Sequence, residues 1–321
     1  MNFLDALQLV PYTIMDGVIL GLVYAVIALG YTMVYGVLGM INFAHSEIFM
    51  VGGIAGIEVL TYLMPLTGLH PALQVIVGVL VGALAAGALA MLTEFIAYRP
   101  LRKRNAPRLV PLITAIGVSL FLQDAVRFVE SLFGHFIRPF PEFEFFSRSF
   151  ELGNDVSVSY KSVAILSVAV VMLVALIYLV NRTRLGKAIR AVAQDQKASS
   201  LMGIDVTQII VLTFAIGGAL GGVAGVLYGF EFGRMDPFSG FIPGMKAFTA
   251  AVLGGIGSVP GAMLGGLLLG LIEITAGTFL PIITNNVIGA EYKDIFAFGV
   301  LILILIFKPS GLLGRSTTEK V

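Results

Sequence analysis

Apolar residues run along this chain in long blocks separated by short polar clusters. A helix that crosses a hydrocarbon layer needs about 20 mostly apolar residues. Val163–Val180 meets that length with no charge at all, and similar blocks fall at Gly17–Leu38, Ala72–Tyr98, Leu109–Phe133, Thr207–Phe230 and Ile295–Phe307. Two blocks are less regular. Phe43–Met64 opens on a polar cluster, and Met245–Leu280 is interrupted by GGIGSVPG, Gly254–Gly261. Pro260 has no N–H to donate and its glycine neighbours favour irregular backbone, so a helix should break there. The pattern predicts an all-α polytopic membrane protein with eight or nine transmembrane segments, some of them broken.

Charge supplies an orientation. Arg99, Arg102, Lys103, Arg104 and Arg108 form one basic cluster, Arg182, Arg184, Lys187, Arg190 and Lys197 a second, and Lys308, Arg315 and Lys320 a third. Basic loops stay on the cytoplasmic side. Three segments precede the first cluster, so the N-terminus is expected outside and the C-terminus in the cytoplasm. The count between Lys197 and Lys308 must then be even, which favours two segments within Met245–Leu280. The stretch from about 134 to 160 becomes an external insertion, and about 182–206 a cytoplasmic loop of one transmembrane domain spanning 1–321. The N-terminal MNFLDALQLVPYT carries no Lys or Arg. It lacks the basic start of a cleaved signal peptide, so the first apolar block reads as a retained span.

Composition agrees. The chain is 58% hydrophobic and 12% charged, whereas soluble domains carry about 25% charged residues. The absence of cysteine removes disulfides and thiolate metal sites. A net charge of +1 gives no bulk attraction to nucleic acid. The 38 glycines sit mostly inside apolar blocks, where small residues let membrane helices approach closely.

The blocks also suggest a weak repeat. Gly17–Phe133 and Thr207–Phe307 each hold four segments with an early Gly-rich break, and they start on opposite sides of the membrane. Inverted repeats with broken helices are a transporter pattern.

Candidate chemistry concentrates at the breaks. GMINFAHSEIFMVGG, Gly39–Gly53, places Asn42, His45, Ser46 and Glu47 within six positions. Irregular backbone at membrane depth must be buried in protein or line a cavity. Asn42 or Ser46 can cap a new helix with a side-chain oxygen, and Glu47 would sit where a helix dipole favours its charge. These four residues either satisfy the broken backbone or line a solute path. His45 and Glu47, two apart, share no helix face and make a poor metal or acid–base pair. Thr249 and Ser258 are the polar groups of the second break. Ser258 is a poor nucleophile candidate, because Val259 and Pro260 follow it and Pro offers no oxyanion donor. Of the scattered charges, Asp124 and Arg127 can pair at three residues' spacing, and Glu94 is placed near the cytoplasmic end. Glu58, Glu130, Glu231 and Glu273 form no convincing buried chain.

The loop RTRLGKAIRAVAQDQKASSLMGID, Arg182–Asp205, reads as two short helices from Lys187 and from Gln196. Its mixture of Ala, Ile and Val with Arg and Lys suits docking into a partner's groove, or lying on anionic lipid. The Gly186–Lys187 pair lacks the upstream glycine and the following Ser or Thr of a phosphate loop. The chain therefore has no ATP site of that kind.

Three stretches together resemble the permease subunits of bacterial branched-chain amino acid ABC importers, the LivH type. They are GLVYAVIALGYTMVYGVLGMINFAHSEIFMVGG, LGKAIRAVAQDQKASSLMGID and AFTAAVLGGIGSVPGAMLGGLLLGLIE, spread along nearly the whole chain in the family's order. One departure is Ser46, where the family usually has Gly. The resemblance implies a bacterial inner-membrane subunit without cofactor or catalysis of its own. It implies a second, similar permease as a heterodimer partner, two cytoplasmic ATP-binding subunits, and a periplasmic or lipid-anchored binding protein that delivers leucine, isoleucine or valine. Gly186, Lys187, Ile189, Arg190, Val192 and Asp195 would be the element coupled to the ATPase. A related ABC permease for urea, amides or other amino acids, or an ion-coupled secondary transporter, are the alternatives.

Overall fold

The computed structural model describes residues 3–104, 106, 107, 109–151 and 157–314. Arg108, Arg315 and Lys320 of the basic clusters, and 152–156 of the expected external insertion, lie outside the described residues. In chain order the helices are α1 (Phe3–Leu38), α2 (His45–Glu58), α3 (Pro71–Thr93), α4 (Arg99–Lys103), α5 (Leu109–Phe133), α6 (Glu144–Ser147), α7 (Tyr160–Arg182), α8 (Arg184–Gln194), α9 (Gln196–Leu201), α10 (Val206–Phe232), α11 (Phe241–Gly254), α12 (Val259–Ile283) and α13 (Lys293–Phe307). Seven helical stretches are long and apolar enough to cross a membrane: α1, α2 with its extension to Leu66, α3 through α4, α5, α7, α10 and α12. The shorter α11, of 14 residues, and α13, of 15, bring the segments to nine. Every apolar block read from the sequence is a helix here, and Met245–Leu280 divides at Gly254–Val259 as Pro260 and its glycines require.

Strands are confined to one end. β1 (Arg138–Pro139) pairs antiparallel with β4 (Arg234–Met235), and β2 (Ser149–Glu151) with β3 (Ser157–Ser159). The β1–β4 pair ties the stretch between α5 and α7 to the end of α10. Arg138 then bridges Glu58 at the end of α2 and Glu130 near the end of α5, at 2.8 Å each. The opposite end carries the basic loops. There α8 and α9 pack beside the C-terminus of α1, and Gln196 Nε2 donates to the Val37 carbonyl at 2.8 Å.

Lipid gives no hydrophobic drive between helices, so close packing must come from small residues. The most extensive helix pairs are α1 with α12 and α3 with α10. Both seams are lined with glycine. A Cβ on Gly21 would stand 2.8 Å from Leu267 Cα, and one on Gly82 would stand 2.7 Å from Val226 Cγ2. The two seams correspond: α2 and α3 pack on each other and onto α10 much as α11 and α12 pack on each other and onto α1, and α1 and α10 cross between them. Since α1 is the first segment and α10 the sixth, the two halves run in opposite directions. This is the inverted arrangement that the hydropathy pattern suggested.

The loop between α7 and α10 is built from local caps. Thr183 accepts from the Gly186 N–H at 3.0 Å to start α8. Asp195 accepts from Lys197 and Ala198 N–H at 2.8 and 3.0 Å to start α9. An N-cap is worth about 1 kcal/mol. Asp195→Ala is therefore expected to speed amide exchange across α9 by roughly fivefold, read by hydrogen–deuterium exchange, without unfolding the bundle.

Candidate functional site

Gly39, at φ 67°, ends α1 where only glycine adopts the backbone without strain. The chain then turns back into the bundle, and α2 begins at His45 beside Gly30. Gly30 lies eight residues before the end of α1, so α2 starts ~12 Å in from that end. Asn42 holds the turn. Its Oδ1 accepts from the Ala44 N–H at 3.1 Å and from the Tyr98 hydroxyl at 2.7 Å. Ser46 does not cap: its hydroxyl donates to the Phe43 carbonyl at 2.7 Å. His45 is 1% exposed. Its ring meets Tyr31 edge-on at 4.7 Å, and it fills the gap left by Gly30 on α1 and Gly221 on α10. It locks three helices, which is a packing role, yet its Nε2 has no partner.

Glu47 is also 1% exposed. Its Oε1 accepts from the Ser119 hydroxyl at 3.4 Å and lies equally far from the Ser46 hydroxyl, and its Oε2 has no partner among the described residues. No Lys or Arg pairs with it among the described residues. Across from it lies the start of α11. A Cβ on Gly240 would approach Glu47 Oε2, and one on Gly244 would strike Ser46. The two short helices therefore begin against one another, N-terminus to N-terminus. Glu47 lies 11 residues before Glu58 on α2, and its partner Ser119 lies 11 before Glu130 on α5. Both are thus ~16 Å beneath the Arg138 bridge, near the middle of a ~30 Å hydrocarbon layer.

The second break contributes differently from what its polar residues suggested. Ser258 caps α12 by accepting from the Gly261 N–H at 3.2 Å, and Thr249 donates back to the Lys246 carbonyl at 2.6 Å. Both hydroxyls are engaged with their own backbone, and neither joins the cluster at Asn42–Glu47. The break at Gly254–Ser258 packs instead on the C-terminal segment, where Leu312 and Leu313 N–H donate to the Leu253 and Gly254 carbonyls. The two breaks meet only through an apolar cleft lined by Tyr31, Tyr35, Ile41, Phe248, Ala251 and Ile256, with room (≈ 10 Å³) for about one water. Solute passage at this level requires the helices to part.

Two further features escaped the sequence reading. Lys246 on α11 contacts Glu273 on α12 and Asp294 on α13, each at 2.8 Å. Glu273 also takes Lys293 at 2.9 Å and the Tyr24 hydroxyl at 2.9 Å. Glu273 is thus no isolated carboxylate but the centre of a charge-balanced buried network. A lone lysine inside the apolar run FIPGMKAFTA was the available signal, since intramembrane charge demands a partner. Removing one member of a buried ion pair leaves the other uncompensated, a loss of about 3–5 kcal/mol, whereas replacing both with apolar groups is often near neutral. Glu273→Ala is accordingly expected to lower the thermal unfolding temperature in detergent far more than the quadruple change of Lys246, Glu273, Lys293 and Asp294 to Met, which removes every charge of the network. The second feature is a vestibule of ≈ 450 Å³ at the strand-bearing end, lined by Tyr228, Phe232, Arg234, Asp236 and Ser239.

Glu94 pairs with Arg102 at 2.8 Å at the basic end, and Asp124 with Arg127 at 3.6 Å. On α8, Gly186, Ile189 and Val192 turn inward and are buried against the rest of the chain. Gly186 abuts the Leu179 and Val180 carbonyls, and Arg190 donates to Val180 O. Lys187, Arg190 and Asp195 are exposed, as are Leu201 and Met202, at 89% and 83%.

The family model described as the branched-chain amino acid transport system permease component matches residues 13–305. The chain belongs to this family. It is 45% identical to the high-affinity branched-chain amino acid transport system permease protein BraD of Pseudomonas aeruginosa, over 96% of this chain and 97% of that one. It is 43% identical to the corresponding LivH of Escherichia coli K12, over 95% and 96%. A partial match of 32% identity, over 41% of this chain and 40% of the other, joins it to the probable permease LivM of Methanocaldococcus jannaschii. The full-length likeness of this chain is to the LivH and BraD kind.

Proposed function

We propose that this chain is the LivH-type permease subunit of a binding-protein-dependent ABC importer that carries branched-chain amino acids across the bacterial inner membrane. The observation that carries the reading is the mid-bundle junction of α2 and α11. Two broken helices from opposite halves of an inverted repeat start there against one another, as expected at the solute site of a transporter. The whole of 1–321 acts as one permease domain. Its basic end, with α8, α9 and the C-terminus, faces the cytoplasm, and its strand-bearing end and N-terminus face outward.

In this reading the solute enters at the vestibule of Tyr228, Phe232, Arg234, Asp236 and Ser239, handed over by the binding protein. It passes the α2–α11 junction, where Asn42, His45, Ser46 and Glu47 shape the path. The α8–α9 hairpin sits in the ATP-binding subunit, with Lys187, Leu201 and Met202 as its contact face. Gly186, Ile189, Arg190, Val192 and Asp195 fix that hairpin to α7, α10 and α1, so that a push on the hairpin is transmitted rigidly. The partial likeness to LivM favours a heterodimer with a second permease of that kind. Tagged chain drawn from native membrane should bring a second permease and an ATP-binding subunit in near-equal amounts. Recovery of the chain alone, under detergent conditions that keep it folded, contradicts the importer.

A further inference from the structure

We infer that Glu47 is the receptor for the ammonium group of the transported solute, a role that rests on the transport reading above and deepens it. A carboxylate at membrane depth is costly unless it is paired or hydrogen-bonded. Glu47 is held on one side only. The Ser119 hydroxyl reaches Oε1, and the N-terminal ends of α2 and α11 both approach the group. Helix N-termini favour an anion at this position. Its Oε2, buried at the junction, accepts no hydrogen bond from the described residues. A carboxylate is an acceptor with about four lone-pair sites, so the missing partner is a donor, and one with positive charge is favoured over a neutral one.

The surroundings determine where that donor comes from. Among the described residues, the lysine nearest in sequence on α11 is Lys246, which is committed to Glu273 and Asp294. The outer vestibule ends at Ser239, one residue before Gly240, whose α-carbon backs onto Glu47 Oε2. A solute in the vestibule is therefore separated from Glu47 by the backbone at Ser239–Gly240. There Gly240 has no side chain to block the approach. The vestibule itself carries an acidic and a basic side chain, Asp236 and Arg234, beside two aromatic rings, Tyr228 and Phe232, 4.4 Å apart. That combination suits a zwitterion with an apolar side chain. Opening α11 at Gly240 would move the ammonium from Asp236 to Glu47. The class of ligand is a primary α-ammonium compound with an aliphatic side chain. A hydroxy acid or fatty acid of the same shape would leave Glu47 unpaired.

The test uses the assembled transporter in liposomes with binding protein and ATP. Leucine uptake is measured for wild type, Glu47→Gln and Glu47→Asp. In parallel, labelling of Glu47 by an apolar carbodiimide is followed by peptide mass spectrometry. Labelling is done with no addition, with leucinol (ammonium, no carboxylate) and with isocaproate (carboxylate, no ammonium). Loss of one charge-assisted bond should cut uptake by Glu47→Gln to about a tenth or less, with Glu47→Asp in between. Leucinol should slow labelling of Glu47 severalfold and isocaproate should not. Uptake by Glu47→Gln equal to wild type, or protection by isocaproate as strong as by leucinol, would overturn the assignment. Failure of wild-type uptake alongside intact leucinol protection would count against the importer instead, and leave the ammonium site standing.

Discussion

Gly222→Leu is expected to yield no folded protein in the membrane. Gly222 sits on α10 where that helix crosses α3, and a Cβ there would collide with the backbone carbonyl of Gly82 and with Ala86 Cβ. Neither neighbour can give way. The Gly82 carbonyl is part of a helix, and Gly82 is itself closed off by Gly52 O and Val226. Overpacking a tight core costs about 1–3 kcal/mol where side chains can shift. Here backbone would have to move along a seam held by close packing alone, so the loss exceeds that range. The control is Gly117→Leu on α5, where a Cβ meets nothing within 4 Å. Size-exclusion profiles in mild detergent should show a single peak for Gly117→Leu and aggregate for Gly222→Leu. A well-folded Gly222→Leu would mean that α3 and α10 do not cross as described.

The second large effect is expected at the C-terminal end of α9. Leu201→Asp with Met202→Asp should reduce ATP-driven uptake by at least about tenfold, with insertion and thermal stability unchanged. Both side chains are almost fully exposed, and substitutions at such positions usually shift stability by no more than about 0.5 kcal/mol. Two adjacent apolar residues this open at the end of a basic hairpin fit a site that a partner covers. Arg190→Glu is a poorer probe of this face. Arg190 donates to the Val180 carbonyl at the end of α7, so its reversal disturbs the hinge as well as any docking. Uptake kinetics and recovery of the ATP-binding subunit, measured together, separate the two effects. Normal uptake by the Asp pair would remove this face from the coupling path.

Much of this architecture was legible in the sequence because lipid imposes a simple rule on helix length and charge. Each apolar block became a helix, and Pro260 with its glycines marked the division of the second irregular block. The cluster at Asn42–Glu47 was recognisable as a helix break, since four polar residues inside an apolar chain need irregular backbone to serve. The individual roles were less legible. Ser46 and Asn42 looked equivalent as caps, and only the position of the turn made Asn42 the acceptor and Ser46 a donor. The meeting of α2 with the start of α11 was not visible, because Gly240 and Gly244 look like ordinary packing glycines until their neighbour is known. Lys246 and Asp294 are 48 residues apart, and nothing local links them. On α8, the Ile189–Val192 stripe signalled an apolar surface correctly. Whether its cover is another subunit or α7 and α10 of the same chain depends on how the hairpin folds back, which is a tertiary property.

The most direct test of the account is leucine uptake into liposomes that contain the chain with its co-purified subunits and binding protein, with proton and sodium gradients collapsed. Uptake that requires ATP inside and binding protein outside is the expected result. Uptake that ignores ATP and returns only when an ion gradient is restored would contradict the importer, and would make Glu47 and the Lys246–Glu273 network parts of an ion-coupled carrier.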